Sequence, residues 1–402
     1  MKLFYFGSVC APAWFDQTVQ KSRVKPSASA QSFEMALIDG FSKNPEIELT
    51  VASAESVAMF PGGNRIFLKQ REDRLNDRVS AQILPAVNLP GIKQKNHADG
   101  AGKLLRKWLR ENQNEPEKCV FVYGLYPKPT ETLLKICKKA GCKIVILIAD
   151  LPATMFTYTK SKNLWKRMFS DAYRKKALSI QKSFDGYIYL TEAMQKAVAP
   201  EKPYTVVETI ADPTIFDGLG EIQKSEPPAL MYAGALYKKY GVDLILDTFE
   251  QLQTDCRLWL FGSGDYEEEI QKRAERNPKI QFFGRVPRGE ILKREQQASL
   301  LLNLRNPEED YTKYSFPSKM VEYLLSGTPA FTTKLPGIPE EYEKYCYMTK
   351  EQDCRLIAKE IDQILKDEQF SRIGERARSF IVEQKNAEVQ AKKISDFLQS
   401  LI

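Results

Sequence analysis

Tyr311–Pro339 reads YTKYSFPSKMVEYLLSGTPAFTTKLPGIP. An aromatic loop leads to Pro317, a helix runs from Ser318, and Gly327-Thr328-Pro329 breaks it. A short strand and a second tight loop follow. Pro317 suits a first helical turn, because its missing N–H would have no intrahelical partner there. Ser318 and Lys319 stand at the same helix start, where free N–H groups and the helix dipole favour an anion such as phosphate. Glu322 lies one turn further in, on the face of Ser318 or Lys319. A carboxylate beside a phosphate site makes sense where hydroxyls donate to it, as those of a ribose do. The same residues also fit a capped amphipathic helix with Glu322 in solvent.

Outward from this stretch the chain reads as a second series of strands and helices. Strands ALMYAGA, CRLWLFG, IQFFG, ASLLLNL and PAFTT alternate with helices over Asp243–Leu252, Tyr266–Arg276, Gly289–Gln297 and Ser318–Leu325. Apolar strands alternating with helices predict a parallel sheet covered on both faces. Helices are expected over Asp353–Lys366, Ser371–Glu383 and Glu388–Leu401.

The amino-terminal half gives a similar reading. Residues 2–9, 48–54, 119–123, 143–149 and 184–190 read as strands, and 27–41 and 129–140 as helices. Ala11–Lys25 reads as a polar loop, either a connector or a substrate loop at the carboxyl end of the first strand, near Gly7 and Ser8. Residues 60–110 give no clear periodicity. Asp150 ends the strand KIVILIA and reads either as a polar contact to substrate or as a turn cap. Thr159–Lys176 interleaves basic residues with Trp165, Met168, Phe169 and Tyr173. It fits a helix packed on the sheet, or one lying on anionic lipid. Character changes near 200–225, so the expected domains are 1–203 and 204–380, followed by a terminal helix at 381–402.

A length of 402 residues suggests at least two domains. No apolar stretch approaches a transmembrane span, and no signal peptide is expected. Seven irregularly spaced cysteines point to reduced thiols in a cytoplasm. With one histidine, His97, placed in a polar loop, a His/Cys metal site or a catalytic triad is not expected. The net charge of +7 favours anionic partners such as nucleotides or a lipid surface, but is too mild to predict nucleic-acid binding.

Four turns of the second domain follow strands: Gly234–Gly241, Gly262-Ser263-Gly264, Phe283–Pro287 and the opening stretch. Their carboxyl-end position predicts one shared cleft. In this order they resemble the retaining GT-B glycosyltransferases of group 1 (family four), through G-x-L-x-x-x-x-G-V-D, FGSG, FFGRVP, FPSKMVEYLLSGTPA and LPGIPE. The resemblance is strong over 230–340 and implies two Rossmann-like α/β domains facing a central cleft, with the last helix crossing back to the first. It implies a nucleotide-sugar donor, UDP- or GDP-linked, and no other cofactor. It implies that Glu322 accepts hydrogen bonds from the donor ribose and that Phe316, Pro317 and Ser318 hold the diphosphate. Gly284, Arg285 and Val286 would frame the base, and Gly234, with Ala235 and Gly262, would lie by the phosphates.

The departures are specific. Members commonly carry a second acid eight positions before the first, and here Tyr314 stands there. The usual Arg and Lys of the glycine-rich turn are Ala235 and Tyr240. The usual histidine is Ala149, while Asp150 matches. Lys238, Lys239 or Lys319 is expected to supply the missing charge. No D-x-D triplet occurs, so a metal-bridged diphosphate is not expected. The reaction would retain configuration, the acceptor hydroxyl attacking on the leaving-group face and passing its proton to the departing phosphate. The acceptor would be a glycan, lipid-linked if the Thr159–Lys176 helix docks at the inner face of a membrane, as in cell-surface polysaccharide synthesis. A non-catalytic accessory relative is the alternative, motivated by the missing residues.

Overall fold

The computed structural model describes residues 1–151, 164–220 and 222–402. They form two compact units, Met1–Ile210 with Ala387–Ile402, and Ala211–Asn386. The first contains strands β1 (Lys2–Gly7), β2 (Glu48–Ser53), β3 (Phe67–Leu68), β4 (Arg71–Arg74), β5 (Ser80–Ile83), β6 (Ala86–Val87), β7 (Lys118–Tyr123), β8 (Lys143–Ile148), β9 (Gly186–Tyr189) and β10 (Tyr204–Val206). Its helices are α1 (Pro12–Lys21), α2 (Ala28–Lys43), α3 (Ile92–Glu111), α4 (Pro127–Ala140), α5 (Leu164–Ile180) and α6 (Glu192–Val198).

The main sheet runs β10-β9-β8-β7-β1-β2-β5-β4. Every pairing is parallel except β4 with β5. A small antiparallel pair, β3 and β6, stands apart. The central strands are buried along almost their whole length, as a sheet covered on both faces requires.

The second unit contains β11 (Ala229–Ala235), β12 (Arg257–Ser263), β13 (Ile280–Gly284), β14 (Leu300–Asn303), β15 (Ala330–Thr333) and β16 (Tyr347–Thr349). Its helices are α7 (Val242–Phe249), α8 (Glu267–Arg276), α9 (Arg288–Gln297), α10 (Ser318–Ser326), α11 (Cys354–Lys366) and α12 (Arg372–Gln384). The sheet order is β13-β12-β11-β14-β15-β16, all parallel. Met231 and Ala233 of β11 enter one core, Leu230 and Tyr232 the other. That alternation is the strand pleat dividing one apolar run between two helical layers.

Several expectations are corrected. The boundary falls at Ile210/Ala211 rather than 203/204, because β10 extends the first sheet by pairing with β9. The terminal segment returns to the first unit from Ala387, not 381. Ala11–Lys25 is not a loop over most of its length but carries α1, which opens on Pro12 and buries Phe15 and Thr18. Its buried face is too narrow to show as an apolar stripe. His97 lies in no loop: α3 buries it beside Ala98 and Ala101. Burial first, then the Lys93 charge, pushes its imidazole down to about 3. Thr159–Asn163 of the proposed lipid-facing helix lie outside the described residues; α5 begins at Leu164.

The terminal helix α13 (Ala387–Gln399) packs on α2, with Ala391, Ile394 and Leu398 buried in the first core. Gly40 makes this approach feasible, since an added Cβ there would lie 2.2 Å from the Ala387 carbonyl oxygen. Gly40→Ala should therefore lower stability by about 1–3 kcal/mol, the usual cost of overpacking. The midpoint of urea unfolding reads this out. Gly289→Ala serves as the control, since no atom lies within 4 Å of its added Cβ, and it should show no loss.

Candidate active site

At the carboxyl edge of the second sheet the turns after β13, β12, β11 and β14 lie side by side in that order. Gly262 has φ +125°, and a Cβ on it would sit 1.8 Å from the Gly234 carbonyl oxygen. A Cβ on Gly264 would sit 2.1 Å from the Leu236 oxygen. The G-x-G turn is thus needed by backbone packed on backbone within the protein. Gly264 N–H also donates to Glu267 Oε1 at 2.8 Å. Gly284 differs: φ is +65° and its side-chain space is open. It needs glycine for conformation and leaves room beside it. Arg285, exposed, donates through Nε to Ser263 Oγ, and Val286 packs against the core.

Helix α10 is locked to the central strand. The buried Tyr323 hydroxyl accepts from Ala233 N–H at 3.0 Å. Pro317 stands at the N-cap rather than inside the first turn, and no side chain caps the helix. The opening N–H groups at Ser318 and Lys319 therefore carry no capping side chain, which leaves them available to an anion. Phe316 is buried with its ring centroid 5.2 Å from that of Tyr342. Tyr314 closes the 3-10 turn Asp310–Lys313. The LPGIP loop presses on this turn, since a Cβ on Gly337 would meet the Ser315 and Thr312 carbonyls at 2.4 and 2.5 Å.

Glu322 is the electrostatic centre. Its side chain is 12% exposed and takes Lys319 on Oε1 and Arg288 Nη2 on Oε2, the latter at 3.2 Å. Burial pushes its carboxyl up, but the Lys319 charge and hydrogen bond, a bond from Glu295 and the Arg288 charge outweigh it and hold it below the ordinary range. Glu295 behaves oppositely. Burial first, then the Glu322 charge, holds it well above the ordinary range. It is therefore the neutral partner of the pair, with a proton to share. Among the described residues its oxygens reach no partner at full hydrogen-bond geometry. A carboxylate has about four lone-pair sites, so Glu322 keeps capacity for hydroxyl donors beyond its two cations.

The cations fall into two groups. Lys319 is turned onto Glu322. Lys238 is largely exposed, 3.6 Å from Asp243 Oδ2. Lys239 Nζ lies 5.0 Å from the Tyr240 ring centroid, and its carbonyl accepts from Tyr311 Oη at 2.9 Å. Sequence reasoning missed Arg305, just beyond β14. Its guanidinium stands 5.1 Å from the same Tyr240 ring, with a buried Nε that meets no acceptor among the described residues. Gly241 allows this, since a Cβ there would strike the Leu304 carbonyl at 1.7 Å. Two cations thus gather on Tyr240. A basic residue at a strand's carboxyl end was the available signal.

In the first unit Gly7 and Ser8 gather around a residue the sequence did not flag, and the charge of Asp150 reaches the neighbouring Tyr126. Glu34 of α2 is fully buried beneath β1. It accepts from Ser8 N–H at 2.9 Å, Tyr5 Oη at 2.9 Å and Ser8 Oγ. Gly7 makes room for it, because a Cβ would lie 1.9 Å from Glu34 Oε2. Ser8 therefore faces the protein. Burial pushes Glu34 up to about 7 against those hydrogen bonds. Tyr126 is pushed up to about 12 by burial first, then by Glu34, with Asp150 adding to it. Asp150 itself is exposed at the edge, though desolvation by surrounding protein still raises its carboxyl.

Two open α/β units, their main sheets parallel apart from β4, with glycine turns and an acid at a helix head have the architecture of the GT-B fold. Residues 220–380 match the family profile of the glycosyl transferases group 1. Over this segment the chain is similar to that family. No curated protein matches the sequence. Among solved structures, the chain resembles the lipopolysaccharide outer core galactosyltransferase WaaB in its apo form at TM-score 0.62 and 11% identity, covering 100% of both chains. It resembles HepE of Anabaena in complex with UDP at 0.61 and 15%, again over 100% of both chains. A sucrose-phosphate synthase of Thermosynechococcus elongatus matches at 0.60 and 12%, over 100% of this chain and 99% of that one. These likenesses define the fold.

The Glu34 arrangement predicts a pH dependence. Its folded-state value of about 7 exceeds the ordinary 4.5, so the folded state keeps the proton longer. Its contribution to stability is full below the unfolded value and is lost as pH rises through about 7. Glu34→Gln should flatten the fall in unfolding free energy between those two values, measured by urea titration at a series of pH values.

Proposed function

We propose that the protein transfers a sugar from a nucleotide-diphosphate donor, UDP-linked in the first instance, to a glycan or lipid-linked glycan. The reading has configuration retained, no metal and no cofactor beyond the donor, in cytoplasmic synthesis of cell-surface polysaccharide. The observation that carries it is Glu322: a partly buried, ionised carboxylate with spare acceptor capacity at the uncapped head of α10, within the segment that matches the family model. The UDP bound by HepE supports a uridine donor here.

On this reading the diphosphate takes the N–H groups at Ser318 and Lys319, the ribose donates to Glu322, and the base lies along Gly284–Val286. Lys239 and Arg305 take over the charge missing at Ala235 and Tyr240. Arginine suits this because its planar fork binds phosphate oxygens in pairs. In the transfer step the acceptor hydroxyl forms the new bond to the anomeric carbon. The anomeric carbon–phosphate oxygen bond breaks, and the hydroxyl proton passes to that oxygen. The cations and helix head stabilise the developing negative charge. Asp150 in the first unit receives an acceptor hydroxyl.

Calorimetry with UDP, GDP and their sugars tests the donor site. Glu322→Ala should weaken donor binding by about 1.5–3 kcal/mol, as loss of a charged hydrogen-bond acceptor does, while Tyr314→Phe should change it little. Equal losses at both positions would refute the ribose assignment. No binding of any nucleotide or nucleotide-sugar would favour the accessory reading. Lys239→Ala and Arg305→Ala should each reduce turnover on the order of a hundredfold, the usual scale for losing one donor to developing charge. Donor hydrolysis and transfer left intact in both variants would rule out their role in charge stabilisation.

A further inference from the structure

The first unit carries an apolar surface that its core does not use. Val24 and Phe67 are 55% and 69% exposed, and Met59, Phe60, Ile66 and Ile92 are also exposed. Backbone hydrogen bonds bring the segments that carry these residues together. Val24 N–H donates to the Gly62 carbonyl at 2.9 Å, and Phe60 N–H to that of Asn88 at 3.0 Å. Asn88 N–H donates to the Ile66 carbonyl at 2.7 Å, and Phe67 pairs with Val87. Ile92 opens α3 four residues after Asn88. Scattered exposed apolar residues are ordinary, whereas a contiguous group marks an interaction surface.

The segments that carry it hold charge of one sign. Segments 21–25, 56–70 and 86–95 hold seven Lys or Arg and no Asp or Glu. The chain as a whole has 52 acids in 402 residues, so these thirty residues would ordinarily carry about four. Arg65 is paired with Glu55, and Lys93 is largely buried, donating to the Val57 carbonyl. The other five, Lys21, Arg23, Lys25, Lys69 and Lys95, are exposed.

We propose that this face docks on an anionic lipid bilayer, with Val24, Met59 and Phe67 entering the boundary between headgroups and acyl chains. Lipid phosphates meet the five rim cations. A second copy of the chain would bring an identical ring of cations against this one and be repelled. None of these residues belongs to α5. Docking stands independently of the donor reading; only the corollary, a lipid-borne acceptor, rests on it.

Sedimentation of the full chain with phosphatidylcholine vesicles, with and without phosphatidylglycerol, tests the surface. Partition onto the anionic vesicles that weakens with salt is expected. Val24→Ser with Phe67→Ser should lower it by about tenfold. Lys21→Gln, Arg23→Gln and Lys25→Gln should each lower it about fivefold. All five positions are exposed, so nucleotide binding should be unchanged in each variant. No partition onto anionic vesicles overturns the proposal. So does partition indifferent to both sets of substitutions, or a dimer that Phe67→Ser dissolves. Vesicle binding without nucleotide binding would instead refute the donor reading and leave the surface standing.

Discussion

Three glycines of the second unit have another turn's carbonyl oxygen where a Cβ would be. Gly262 meets Gly234, Gly264 meets Leu236 and Gly241 meets Leu304, each within 2.1 Å of an added Cβ. These backbone-on-backbone contacts hold the carboxyl-edge turns of β11, β12 and β14 in register, and they allow no side chain. What stands on those turns inherits that placement. Ser263 is positioned to take Arg285, Tyr240 to carry Lys239 and Arg305, and Gly284 stands at an edge with open space.

On this frame the charges arrange themselves by burial. Glu322 and Glu295 are two carboxyls brought close by α10 and α9, and two like charges cannot both ionise cheaply there. Lys319 and Arg288 pair directly with Glu322, and their charges reach Glu295 too weakly to offset its burial, so Glu322 keeps the charge and Glu295 keeps the proton. Tyr323 holds α10 against β11 through Ala233, which keeps the helix head and its acid in place. Glu34 in the first unit presents the other outcome. Among the described residues it receives donors but no cation, and burial raises its carboxyl to about 7.

Much of the second unit was legible in the sequence because its strands are short continuous apolar runs with glycine or proline breaks. ALMYAGA and IQFFG match β11 and β13 residue for residue. The first unit was less legible between 60 and 110. There β3 to β6 are two to four residues long, and α3 buries Ala98, Ala101 and Gly102, which look polar or neutral in a line of text. β10 was assigned to the wrong unit because a strand's sequence does not say which sheet it joins.

The sequence by itself determined two parallel α/β units, the helix head at Ser318 and the acid one turn beyond it. Those features follow from neighbours in the chain, through periodicity, backbone conformation and the helix dipole. Tertiary structure decided the rest: that Arg288 and Lys319 both reach Glu322, that Arg305 joins Lys239 on Tyr240, that Gly7 makes room for Glu34, and that the exposed segments carrying Val24, Phe60 and Phe67 are bonded to one another. Each joins side chains from segments far apart in sequence, and no local periodicity records which strands' ends will meet.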